Sequence, residues 1–146
     1  MNPRYWARTA LAAVVLFFIL LAGLHFIEPE FDPSKRLISE YQVGRYGWAM
    51  SLAFFSLGVG VLATLLSTSD FSRSRRGLIE RWWLLAISVA FFGAGIFYPY
   101  TPPNLDSYIH GVCGVIVIVT FPIAATLYSS ALAHSRTWTA SRGQLR

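Results

Sequence analysis

Four long apolar runs, separated by shorter polar stretches, set the plan of this chain. They extend from Thr9 to Ile27, from Trp48 to Leu66, from Trp82 to Tyr98 and from about Tyr108 to Ala133. A helix of about 20 mostly apolar residues, within a range of roughly 17 to 25, crosses the hydrocarbon core of a bilayer. The pattern predicts an all-α fold: a four-helix transmembrane bundle forming one integral membrane domain over residues 1–146. The third run is the shortest and has aromatic residues at both ends, and the fourth is long enough to tilt or to project a turn beyond the lipid. The apolar core of the first run exceeds the roughly 7 to 15 residues of a cleavable signal peptide. It is expected to be a retained anchor.

The polar connections add detail. In EPEFDPSKRLISEYQVGRYG, Asp32 followed by Pro33 reads as a helix start, cap then first turn, with the helix running to about Tyr41 or Gln42. Leu37, Ile38 and Tyr41 share one side of it, so a short interfacial helix is expected in this connection. Gly44 and Gly47 suit a turn into the second span. The other connection on this side, PYTPPNLD, holds three prolines and reads as a rigid cap, with Asp106 placed to cap the fourth helix.

Charge then orients the bundle. Lys and Arg concentrate in cytoplasmic flanks. Nine basic residues (Arg4, Arg8, Arg73, Arg75, Arg76, Arg81, Arg136, Arg142 and Arg146) fall on one side, and three (Lys35, Arg36 and Arg45) on the other. Both termini are therefore expected in the cytoplasm. Trp6, Trp48, Trp82, Trp83, Tyr98 and Trp138 stand at span ends, the depth that amphipathic rings prefer. The composition, 55% hydrophobic and 13% charged, agrees with a membrane protein. The net charge of +5 borders apolar runs, so the expected partners are membrane lipids, with anionic headgroups at the cytoplasmic basic loop, and no nucleic acid. The single Cys113 lies in an apolar run and forms no internal disulfide.

Two packing seams stand out: Ala86, Ala90 and Ala94 in the third span, and Ser56 and Gly60, with Gly58 nearby, in the second. Pro122, midway along the fourth span, removes a backbone donor and crowds the carbonyl of Ile118, which predicts a bend there. Thr120 is a candidate to serve the freed group.

The topology gathers His25, Glu28, Glu40, Arg45, Tyr46, Tyr98, Tyr100, Asp106 and His110 at the outer face. Ionisable groups at membrane depth are candidate functional residues. Asp106 lies four residues before His110, so the two can meet on one helix face, where a carboxylate fixes an imidazole tautomer and raises its basicity. His110 and Asp106 are thus the catalytic candidates, and Glu40, Arg45, Tyr46, Tyr98 and His110 the ligand-binding ones. A helix cap plus a satisfied polar contact is the plainer account of the same pair. The sequence carries no HExxH, HxxxH or Cys/His cluster, no phosphate loop and no nucleophile elbow, so neither a metal nor a cofactor is expected.

The stretches FDPSKRLISEYQVGRYGWAM, FFGAGIFYPY and YIHGVCGVIVIVTFPIAA, the first two separated by a basic loop, resemble the domain of unknown function 998 family of prokaryotic integral membrane proteins. The resemblance covers nearly the whole chain. It implies a multi-span helical bundle in the prokaryotic cytoplasmic membrane and supplies no reaction. Members of that family look longer, with further spans after the fourth, so the resemblance is to a short version whose exposed face a homo-oligomer could cover. The family pattern also has a proline closely followed by an aspartate after GIF; here Tyr98 and Tyr100 flank Pro99, and the nearest acid is Asp106. Three function classes remain: a membrane scaffold or accessory subunit, a membrane-embedded enzyme or amphiphile-binding protein with an outer-face site around His110, and a transporter subunit.

Overall fold

A computed structural model of the chain describes residues 3–68 and 75–133, and its regular elements are all helices. In chain order they are α1 (Pro3–Ile27), a short 3-10 helix η1 (Ile38–Val43), α2 (Gly47–Ser67), α3 (Arg75–Ile96) and α4 (Leu105–Ala133). Three helical stretches are long and apolar enough to cross a membrane, Pro3–Ile27, Gly47–Ser67 and Leu105–Leu127, and α3 contributes a shorter apolar stretch, Arg81–Ile96. The helices outrun their apolar runs at the arginine-rich end. α1 begins at Pro3, where a missing N–H costs nothing because the first turn has no acceptor for it. α3 starts at Arg75, because RRGLIER is built largely of good helix formers.

Each helix packs on the next, α1 on α2, α2 on α3 and α3 on α4, while η1 rests on α2. Burial follows that order. In α2, 61% of the membrane-crossing stretch is buried, against 17% in α1 and 11% in α4. The core accordingly centres on Met50, Ala53, Phe54 and Val61 of α2 and Ile87 and Phe91 of α3, with Phe17 and Leu24 from α1.

The small residues of α2 serve two different neighbours. A methyl group at Gly60 would stand 3.4 Å from the Ala13 Cβ, so this position sets the approach of α1. Gly58, two residues back and on the opposite side, faces α3, where a methyl group would stand 3.1 Å from the Phe92 ring. The Ser88 hydroxyl of α3 donates to the Gly58 carbonyl at 2.8 Å, a buried bond between the two central helices. Of the expected alanine seam, Ala90 and Ala94 are buried while Ala86 is exposed. Each four-residue step turns a helix by about 40° beyond a full circle, so the line drifts. The true contact line runs through Leu84, Ile87, Phe91 and Ala94.

Three local expectations are corrected. The chain does not enter a helix at Pro33. The Asp32 carboxylate accepts from the Ser34 amide at 2.9 Å and the Ser34 hydroxyl at 2.7 Å, which closes a turn. The short helix begins only at Ile38, after the Glu40 carboxylate accepts the Leu37 N–H at 3.1 Å. At the other connection Asn104, not Asp106, caps α4: its side-chain oxygen accepts the Ser107 amide and hydroxyl, each at 3.0 Å. Finally, the Thr120 hydroxyl turns back to the Ile116 carbonyl and does not serve the group freed by Pro122, which lies inside α4.

Candidate functional site

The end of the bundle opposite the arginines is closed by η1, which feeds two side chains inward, Tyr41 and Gln42. Gln42 is 2% exposed. Its Nε2 donates to the Ser51 hydroxyl of α2 at 3.0 Å and to the Ala94 carbonyl of α3 at 2.8 Å, joining three elements through one amide. The Ser51 hydroxyl in turn donates to the Tyr98 hydroxyl at 3.3 Å. The Tyr41 hydroxyl donates to the Phe31 carbonyl at 2.9 Å and ties the α1 exit to η1.

Glu28, one residue past α1, is 1% exposed. Its Oε1 accepts the Tyr46 N–H at 2.8 Å, so α1 reaches across to the residue that precedes α2. The carboxylate lies against Gly44: a methyl group there would stand 2.5 Å from Oε1. Gly44 has ordinary extended angles (φ −77°, ψ 177°), so the need for glycine is one of space rather than of backbone conformation. Glu28 Oε2 and Gln42 Oε1 are both buried acceptors without a hydrogen-bond partner. A buried acceptor left without a donor carries a desolvation cost of about 1 to 3 kcal/mol.

His110 is 7% exposed, and its Nδ1 stands 2.9 Å from the Phe97 carbonyl. A carbonyl only accepts, so Nδ1 carries the hydrogen of this bond. The bond pins the first turns of α4 to the end of α3, and the ring meets Phe54 of α2 edge-on with centroids 6.0 Å apart. Asp106 makes no hydrogen bond to His110; the capping role falls to Asn104, and the imidazole hydrogen is taken by Phe97.

The other candidates fall into separate groups. Glu40 pairs with Arg36 at 3.2 Å. The Arg45 guanidinium lies 5.6 Å from the centre of the Tyr46 ring. Tyr98 stacks on Tyr100 and belongs to the Gln42–Ser51 network. Among the described residues, Glu40, Arg45 and His110 make no hydrogen bond or ion pair with one another. His25 Nδ1 donates to the Leu21 carbonyl of its own helix at 2.8 Å.

Two groups at this end titrate away from their ordinary values. Burial pushes the Tyr41 phenol up, and the nearby charges of Glu28, Asp32 and Glu30 add to the effect, so it remains a donor well into the alkaline range. The hydrogen bonds from the Ser34 hydroxyl and amide hold the Asp32 carboxyl below its usual value. Among the described residues no group of three or more His, Cys, Asp or Glu side chains is arranged to hold a metal ion.

Gln42 and Glu28 are the residues whose importance the sequence understates. Gln42 is the only side-chain amide between Asn2 and Asn104, and Glu28 ends a long uncharged run one turn after His25. Those are the signals available.

Apolar helices in sequential contact, stitched at one end by buried hydrogen bonds, define a polytopic helical membrane protein. The chain matches the family described as protein of unknown function DUF998 over residues 11–145, and it belongs to that family. Comparison with curated proteins and with solved structures finds no match.

Proposed function

We propose that this chain is a non-catalytic helical scaffold or accessory subunit of the prokaryotic cytoplasmic membrane, with both termini inside, holding its partner through the lipid-facing side of α4. One observation carries this reading: α4 is anchored on α3 with 11% of its membrane-crossing stretch buried, and Gly111 and Gly114 open onto empty space. Small residues on a lipid-facing surface let a second helix approach to backbone distance. The polar side chains at the η1 end support the same reading, because Gln42, Glu28 and His110 are each engaged in joining one element to another.

The first partner to test is a second copy of the chain. Chemical crosslinking in native membranes is expected to trap a larger species, and Gly111→Leu with Gly114→Leu to abolish it while the folded amount is kept, since neither position has a neighbour within 4 Å. A wild-type protein that crosslinks to nothing contradicts the proposal.

His110 separates this reading from a catalytic one. His110→Ala leaves the Phe97 carbonyl without its side-chain donor and opens space beside Phe54, which costs about 2 kcal/mol of stability. A fall in the thermal midpoint in detergent micelles is the expected result. An unchanged midpoint would favour a ligand role for this imidazole instead.

A further inference from the structure

Between α1 and α4, at the arginine-rich half of the bundle, the helices leave an open cleft of about 370 Å³. Val14 forms one wall, Leu57 and Leu84 the back, and Ala125 the other wall. Phe91 and Phe121, edge to face with centroids 6.4 Å apart, border it toward the middle of the bundle. The two hydroxyls that line it are turned inward on their own helices: Thr64 donates to the Gly60 carbonyl at 2.9 Å and Ser129 to the Thr126 carbonyl at 2.9 Å. The walls offer no charged side chain, so the cleft suits hydrocarbon.

Its length suits one leaflet. Leu84 to Phe91 is seven residues of helix, about 10 Å of rise. Half of a hydrocarbon core of about 30 Å is about 15 Å. Arg81 lies about one turn before Leu84 on α3, toward the arginine-rich end. Among the described residues it has no ion-pair partner.

We infer that this cleft binds one acyl chain of an anionic phospholipid, with the headgroup phosphate against Arg81. The site is distinct from the α4 glycine face, so either can fail without the other.

The test uses the full chain in maltoside micelles supplied with phosphatidylglycerol or phosphatidylcholine, with lipid retention read by native mass spectrometry. One lipid per chain is expected to be retained, with phosphatidylglycerol preferred about fivefold, the ratio given by roughly 1 kcal/mol per arginine at a lipid surface. Arg81→Gln should reduce that preference to parity. Ala125→Phe fills the cleft from α4 and Val14→Phe from α1, and each should cut retention of both lipids about tenfold. Two variants are used so that a folding defect in one does not decide the result. Ile118→Phe, at a position 72% exposed and outside the cleft, should change nothing. Retention unaffected by both filling variants, or a preference that survives Arg81→Gln, overturns the inference. So does a result in which the filling variants leave lipid in place and instead break a complex between copies, since the cleft would then be a protein interface.

Discussion

Gly47→Ala is expected to destabilise the protein by about 3 kcal/mol, at the upper end of what overpacking usually costs. The new methyl group would overlap the Gln42 carbonyl and stand 2.6 Å from its carbon, and both atoms are backbone. A flexible side chain could swing aside, but η1 would have to move as a body. That movement would pull Gln42 away from Ser51 and Ala94 and so loosen the contact of η1 with α2 and α3 together. Gly23→Ala is the matched control. It also adds one methyl to a helical glycine, but nothing lies within 4 Å of it. There the change should be neutral or stabilise by up to about 1 kcal/mol, through helix propensity alone. Unfolding in mixed micelles followed by tryptophan fluorescence, with Trp48 beside the mutated turn, measures both. Equal midpoints for the two variants would contradict the packing described at Gly47.

The contrast shows what the sequence could and could not convey. The helices were legible because the backbone in lipid must satisfy its own hydrogen bonds, so an apolar run of sufficient length has few alternatives to a helix. Gly44 and Gly47 were legible as a turn, but the reason for them was not. Both have negative φ, and the space they leave is filled by Glu28 and by the Gln42 backbone, partners far along the chain or around a bend. The caps were misplaced for a related reason. Asp32 and Asp106 both stand where a helix could begin, yet Ser34 supplies Asp32 with two donors that close a turn, and Asn104 reaches the Ser107 amide first. Competition between side chains two or three residues apart is decided by local geometry that residue type alone does not fix.

The candidate site was legible in location only. The sequence gathers the ionisable groups at one face, and the structure distributes them into separate contacts: Glu40 on Arg36, Arg45 on Tyr46, His110 on Phe97. The buried connections at that end run instead through Gln42 and Glu28. Neither belongs to a spacing motif, because the partners come from α2, α3 and the turn before α2 and are mostly backbone atoms, which leave no trace in residue identity.

Gln42→Glu tests that buried connection most sharply, because it keeps the shape and removes the donor. The amide nitrogen stands 2.8 Å from the Ala94 carbonyl and 3.0 Å from the Ser51 hydroxyl. A carboxylate oxygen in its place would face the Ala94 carbonyl as acceptor against acceptor, and the Ser51 hydroxyl would have to leave Tyr98 to serve it. A buried charge without a counterion costs about 3 kcal/mol or more. The penalty depends on pH with a definite sign. The folded state favours the protonated acid, whose hydroxyl can donate to Ala94, so the penalty is small below the ordinary carboxyl pKa of about 4.3 and grows as pH rises through it. Thermal unfolding in micelles at pH 4 and pH 7.5, each compared with wild type, should therefore show a variant close to wild type in acid and strongly destabilised at neutral pH. A deficit of equal size at both values would mean that the cost comes from lost packing, and that the amide does not donate across the gap between η1 and α3.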